Sequence, residues 1–296
     1  MDSEDPGGTK LTTWQRIGRR NVRRLAGKQQ GEPLDPEDWE AVWKLHESGP
    51  VHAINRVLFA LPSSPRCGIC GAPFAGVGSR LAGPLGYRPS RKNPTVCGVC
   101  VEASPPGGMK MLTGVLFADL RGFTARSEGA DPEEVATVLR RFYRAAEDVL
   151  FPDAVIDKLI GDEVMALYLP LMKMRTMTEA DVPALMLEHA DALLRAVGHG
   201  AGGEPFAEMG VGLDFGEAFV GNIGQRALYD FTAVGDVVNT ASRLQGRAGP
   251  GEIVLSERVA EGLPALVGDR EELVLKGKDG IQVAYRVKVG EPNDLP

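Results

Sequence analysis

The chain has no run of about 18 apolar residues, the length a helix needs to cross a bilayer, so the sequence predicts no membrane span. It is poor in cysteine, with four in 296 residues. These come as two Cys-x-x-Cys pairs rather than scattered. That argues against a secreted disulfide framework and for a metal site or redox dithiol in a reducing cytoplasm. Positive charge is in deficit: the formal net charge is −7, which argues against a dedicated nucleic-acid binder, and none is expected as a partner. Internal repeats and low-complexity tracts are absent. The opening MDSEDPGG is acidic and does not read as a signal peptide. What is there is an ordinary globular apolar fraction, 43%, on a chain long enough for a catalytic domain and something smaller.

Three zones divide the chain. Residues 1–66 read as a helical region broken by Gly and Pro, and residues 67–102 as a Gly- and Pro-rich segment bracketed by the cysteine pairs. ASPPGG at 103–108 reads as a linker. From 109 to 288 strands alternate with helices. MLTGVLFADL is a buried strand, and DPEEVATVLRRFYRAAEDVL is an amphipathic helix with Pro and acids at its start. AVIDKLIGDEVMALYL is two strands around a tight turn, and ADVPALMLEHADALLRAVGH is a second long helix. EMGVGLDFGEAFVGNIG is expected to be a hairpin turning near Gly216. A short helix, the strand GEIVLS and a closing strand pair follow. The order β-α-β-β-α-β with added C-terminal strands predicts an α+β fold: a ferredoxin-like sheet with helices on one face.

Chemistry-bearing residues sit at the ends of these elements. FADLRGFT puts Asp119 at the end of the first strand, and KLIGDEVMALY puts Asp162 at a hairpin tip. In a ferredoxin-like sheet the two strands are neighbours, so the carboxylates can meet at one edge. Paired hard oxygen ligands suit Mg²⁺ or Mn²⁺, and two such ions can clamp a phosphoryl transfer. Taken singly, each Asp is also a common cap or turn residue. The Gly-containing turn LRGFT presents backbone N–H groups near Phe123 and Thr124 that can hold phosphates. Within DFTAVGDVVNTASRL, at about 100° per residue, Val237, Ala241 and Leu244 share one helix face and Asn239 and Arg243 the other. Alone, that polar pair would read as solvated surface.

Together, FADLRGFTARSE, DKLIGDEVMALY, GEAFVGNIG, YDFTAVGDVVNTASRL and LKGKDG resemble the class III adenylate/guanylate cyclase catalytic domain across about 109–288. The Gly-Gly-acidic-acidic-Phe turn of diguanylate cyclases is absent. The resemblance implies that a nucleoside triphosphate binds between two such domains, where its ribose 3′-hydroxyl attacks the α-phosphorus. It implies a homodimer and two Mg²⁺ or Mn²⁺ ions per site. Asp119 and Asp162 match the family's metal-binding pair, Arg243 the arginine that stabilises charge on the α-phosphate, and Asn239 the asparagine that orients the ribose. Lys276 matches the lysine that holds the terminal phosphates, with Lys278 close enough to be confused with it. Lys158 matches the base-reading lysine. An ammonium only donates, and adenine N1 accepts, so ATP is the expected substrate. Thr232 occupies the second base-reading position and suits either purine. The implied activity is adenylate cyclase. Guanylate cyclase, a nucleotide-binding signalling module without turnover, and a metal- or redox-dependent interaction protein are the competing readings.

RCGICGAPF and NPTVCGVC give C-x₂-C-x₂₆-C-x₂-C, with Cys67, Cys70, Cys97 and Cys100 as ligands. The pattern resembles zinc ribbons and rubredoxin-like iron sites. A closed Cys₄ set is structural rather than catalytic. Zn²⁺ ranks first, Fe or an iron–sulfur cluster second, and a dithiol switch third. Metal would supply much of the segment's folding energy. Further upstream, residues 11–28 form a basic helix. Leu11, Trp14, Ile17, Val22 and Leu25 project to one side and Arg16, Arg19, Arg20, Arg23 and Arg24 to the other. Such a helix meets anionic lipid or a protein partner, or packs on its own chain with a solvated arginine face. Trp39, Trp43, Leu45, Val57, Leu58 and Phe59 supply a small helical core, and a regulatory role for the N-terminal half is expected. The protein is expected in the cytoplasm, peripheral to the membrane if the basic helix binds lipid.

Overall fold

The computed structural model describes residues 13–30, 32–47, 49–61, 63, 65–90, 93–102, 104–151, 153–170, 178–200, 202–225, 228–266 and 268–289. Leu11 lies outside the described residues, as do the side chains of Trp14, Trp43 and Leu45. In chain order come α1 (Thr13–Leu25), α2 (Trp39–Glu47), α3 (Gly49–Ala60), α4 (Gly76–Ala82), α5 (Gly98–Val101), β1 (Gly107–Leu120), α6 (Phe123–Ser127), α7 (Pro132–Leu150), β2 (Val155–Ile160) and β3 (Glu163–Tyr168). They are followed by α8 (Val182–Ala196), β4 (Met209–Gln225), β5 (Leu228–Val234), α9 (Asp236–Gln245), β6 (Glu252–Ser256), α10 (Glu257–Glu261), β7 (Asp269–Leu273) and β8 (Gln282–Lys288). Among the described residues no helix is long and apolar enough to cross a membrane. The chain divides into two compact units, one of 1–111, 170–177 and 219–234 and one of 112–169, 178–218 and 235–296.

The larger unit is built on a sheet whose strands run β2-β3-β1-β4-β6-β8-β7. Its β-α-β-β-α-β start is the ferredoxin-like α+β order expected from the sequence, and β6, β7 and β8 are the added C-terminal strands. α7 begins where it should: Asp131 accepts from the Glu133 N–H at 2.8 Å, and Pro132, which has no N–H to leave unbonded, takes the first helical position. Its apolar stripe of Phe142, Ala146 and Leu150 is fully buried. α8 buries Val182, Met186, Leu187, Ala190, Leu193 and Leu194, one continuous face. α9 lies against β4 and β6. A side-chain carbon at Gly212 of β4 would fall 2.1 Å from the Gln245 backbone nitrogen, so only glycine lets helix and strand come this close. That contact fixes which face of α9 is buried.

One expectation fails. The segment 209–225 does not turn at Gly216. β4 is a single strand that runs straight through that position, and its hairpin partner is β5, with Phe219 opposite Val234 and Gln225 opposite Leu228. Gly216 is a strand glycine: a side chain there would meet the Arg258 guanidinium at 2.9 Å.

In the smaller unit α1 packs on α2 and α5, and α2 on α3. Trp39 is buried, with its ring 6.3 Å from Phe231 of β5. The two-sided picture of the basic helix also needs correction. Arg19 and Arg23 are buried with Val22, while Leu25 is exposed. Arg23 is tolerated inside because its Nε donates to the Glu32 carbonyl at 2.6 Å. The solvated arginine face reduces to Arg16, Arg20 and Arg24.

Candidate active site

The acid cluster forms at one end of β1 and β3. The antiparallel register sets Asp119 opposite Glu163, and the Leu120 N–H donates to the Asp162 carbonyl at 3.1 Å, which locks the β2–β3 turn onto the end of β1. Partial burial, followed by the neighbouring Asp162 charge, pushes the Asp119 carboxyl above its usual range. Burial and the charges of Asp119 and Asp162 do the same to Glu163, whose role the sequence did not reveal. Its one signal was that it follows Asp162 across from Asp119. Arg121 is the local counter-charge, with Nη1 3.4 Å from Asp119 Oδ2 and Nη2 donating to the Gln245 carbonyl at the end of α9. Three carboxylates facing one guanidinium, of which only Asp119 is paired with it, leave an excess of negative charge at this edge, suited to divalent cations. Among the described residues the aspartates do not form a cage of three ligands. Two carboxylates with open positions are what Mg²⁺ takes when substrate oxygens complete its shell.

Next to Asp119 the chain turns at Gly122, whose φ of 65° lies in the left-handed region, and enters α6. Phe123 and Thr124 are its first two residues, so their N–H groups have no acceptor within the helix. Lys158 lies on β2 of the same hairpin as Asp162, paired with Met165, and its Nζ stands 3.1 Å from Asp157 Oδ2.

The second set of polar groups is on α9 and the loop that leads to β8. Val237, Ala241 and Leu244 are buried, Asn239 is exposed and Arg243 is half-buried. Gly277 abuts the Arg243 guanidinium: a side-chain carbon there would lie 3.3 Å from Nη2. This brings Arg243 beside the LKGKDG loop. The loop's two lysines differ. Lys278 Nζ is 2.5 Å from Asp236 Oδ2 at the start of α9, and the pair holds the Asp236 carboxyl below its usual range. Lys276 is exposed, and no described residue pairs with it. The structure therefore separates the two lysines that the sequence left confusable. Thr232 belongs to the smaller unit, where it is half-buried on β5 opposite Gly221.

The four cysteines form a separate centre. All are buried, and their sulfurs lie within 4.8 Å of one another, with Cys67 to Cys100 at 3.9 Å and Cys70 to Cys97 at 3.6 Å. A tetrahedral ion with Zn–S bonds of about 2.3 Å would set sulfurs about 3.8 Å apart. A disulfide needs about 2.05 Å, so all four are free thiols here. The Cys97 N–H donates to Cys67 Sγ at 3.2 Å, the sort of contact that stabilises a thiolate. Burial, with the neighbouring cysteines adding to it, pushes the Tyr87 phenol far up, so it stays neutral beside the cluster. The set fits a structural Zn²⁺ or Fe ion.

Residues 110–288, more than half of the chain, match the family model described as the adenylate and guanylate cyclase catalytic domain. An adenylate cyclase of Anabaena cylindrica is 31% identical over 59% of this chain and 36% of its own length. Adenylate cyclase 1 of Rhizobium meliloti is 34% identical over 44% of this chain and 20% of its own. The chain thus spans well under half the length of these relatives. Among solved structures, the guanylyl cyclase Cya2 is 30% identical, with a TM-score of 0.55 over 64% of this chain and 98% of its own. The adenylyl cyclase CyaB from P. aeruginosa, at 24% identity and a TM-score of 0.52, covers 61% and 95% and shares the fold.

Proposed function

Because the chain belongs to the adenylate and guanylate cyclase catalytic domain family, we propose that it converts ATP to 3′,5′-cyclic AMP and pyrophosphate at sites shared between two copies of itself. The observation that carries this reading is that one chain holds both an acid pair and a donor set on named elements. An acid pair, Asp119 and Asp162, sits at the β1 edge, and a donor set, Asn239, Arg243 and Lys276, sits on α9 and its neighbouring loop. Two Mg²⁺ or Mn²⁺ ions held by Asp119 and Asp162 would acidify the ribose 3′-hydroxyl and neutralise the triphosphate. The N–H groups of Phe123 and Thr124 cradle phosphate oxygens beside them. From the partner copy, Asn239 orients the ribose, and Arg243 stabilises the charge that builds on the α-phosphate as the 3′-oxygen bonds to it. Lys276 takes the terminal phosphates. Lys278 is committed to Asp236 and steadies the loop.

Base choice falls to Lys158 and Thr232. Lys158 donates to adenine N1, and the Thr232 hydroxyl accepts from the adenine amino group. Guanylate cyclase is the second reading, favoured by the 30% identity to a guanylyl cyclase. Cyclic nucleotide formation by the purified chain with Mn²⁺ and either ATP or GTP tests both. Cyclic AMP as the main product supports the proposal, cyclic GMP supports the second reading, and no product from either leaves a nucleotide-binding module.

For regulation by the N-terminal region, the support comes from contacts within the smaller unit. Asn222 of β4 is fully buried, and its Nδ2 donates to the carbonyls of Val101 at 2.9 Å and Pro105 at 3.1 Å. Val101 directly follows the ligand Cys100, and the buried Trp39 packs by Phe231, the neighbour of Thr232. The Cys₄ centre, with Zn²⁺ as first choice, would act through these contacts on the strand that carries Thr232. Reduced thiols suit the cytoplasm. The exposed Arg16, Arg20 and Arg24 offer a small basic face to a protein or anionic membrane surface.

A further inference from the structure

Neighbouring residues on a regular strand project to opposite faces of the sheet, so a carboxylate and an ammonium adjacent in sequence do not meet there. β2 departs from that rule. Ile156 pairs with Ala166 and Lys158 with Met165, which are consecutive on β3, so Asp157 is an extra residue between them, a β-bulge. The bulge turns Asp157 and Lys158 to the same side, with Nζ 3.1 Å from Oδ2. The Asp157 side chain is 0% exposed, while that of Lys158 keeps 34%. The carboxylate is thus the anchored end of the pair and the ammonium the accessible end. A buried carboxylate is costly even when paired, and a strand can be built without one or a bulge. Bulges of this kind re-aim side chains beside functional sites.

We infer that Asp157 is a positioning residue for nucleotide selection, holding the Lys158 ammonium at one point so that it can serve adenine and not guanine. The inference rests on Lys158 reading the base. Guanine carries a hydrogen at N1, but its neighbouring O6 is an acceptor. A lysine on its flexible four-carbon stem can swing from N1 to O6 and satisfy either purine. Tied to a buried carboxylate, the ammonium cannot follow O6, and guanine is left with two donors opposed. Discrimination then comes from restraint of the lysine as well as from its charge.

The test compares kcat and KM for ATP and GTP in wild type, Asp157→Asn, Lys158→Ala and the double variant, each as the full-length chain. Asp157→Asn keeps shape and removes the charge. It should lower the ATP/GTP ratio of kcat/KM by about tenfold, the value of a charge-assisted hydrogen bond, mainly through KM. Lys158→Ala should lower the ratio at least as far, and adding Asp157→Asn to it should change the ratio no further, because nothing remains to be positioned. If Lys158→Ala moves the ratio and Asp157→Asn does not, the positioning role is overturned. If Lys158→Ala itself leaves the ratio unchanged, base reading by Lys158 fails, and the inference with it. Should Asp157→Asn not fold, Asp157→Glu, which keeps the charge but shifts the carboxylate by one methylene, is read in the same way: a lowered ratio supports the role and a wild-type ratio overturns it.

Discussion

Asp119 on β1 stands opposite Glu163 on β3, and Asp162, the residue before Glu163, lends its charge to both. This arrangement separates two kinds of acid. In the proposed mechanism Asp119 and Asp162 are the metal ligands, and Glu163 adds field without serving as a ligand. Asp119→Ala or Asp162→Ala should abolish cyclic nucleotide formation while the protein remains folded. Glu163→Gln should cost no more than about tenfold, the effect of one neighbouring charge worth roughly 1.4 kcal/mol. Steady-state assays at saturating Mn²⁺, with melting curves as the folding control, check all three. Near-normal activity in either aspartate variant would remove the two-metal assignment.

The two loop lysines should also part in their effects. Lys276→Ala should raise KM for the nucleotide about tenfold, the loss of one charge-assisted contact to phosphate. Lys278→Ala should leave KM near wild type. It should cost less than about 1 kcal/mol of stability, because its partner Asp236 is 61% exposed and the pair is screened by solvent. The reverse pattern would exchange their roles.

Cys67→Ser should lose the bound metal and loosen more than residues 67–100. Asn222 hangs from the Val101 carbonyl, so hydrogen exchange should rise along β5, and KM should rise with it. Metal analysis of the purified protein and amide exchange at 228–234 measure the two effects. Equal metal content in wild type and variant would rule out the Cys₄ site. Lost metal with unchanged exchange would sever it from the base-reading strand.

Much of this could be read from the chain because the signals were local. Asp131 with Pro132 marked the start of α7, and the Val237, Ala241 and Leu244 spacing marked the buried face of α9. What could not be read was set by tertiary contacts. Gly216 looked like a turn, because glycine inside a strand carries the same letter as glycine at a bend. Its neighbour across space, Arg258, decides. Arg19 and Arg23 looked solvated, because charge usually is. Arg23 is buried because a carbonyl nine residues away accepts its Nε–H. Glu163 and Asp157 were invisible for a related reason. The register and the bulge give them their partners, and no spacing rule announces either.

In the proposed mechanism each site takes its metals from one chain and its Arg243 from another, and mixing two inactive variants measures whether it does. Asp119→Ala and Arg243→Ala homodimers should each be nearly inactive, since neither contains an intact site. In a heterodimer both lesions fall in the same site and the opposite site is whole. With random exchange about half of the dimers are mixed and each has one good site of two, so activity should recover to roughly a quarter of wild type. Native mass measurement confirms that mixed dimers form. If they form and activity stays at the level of the separate variants, the site is assembled within a single chain and the shared arrangement is wrong.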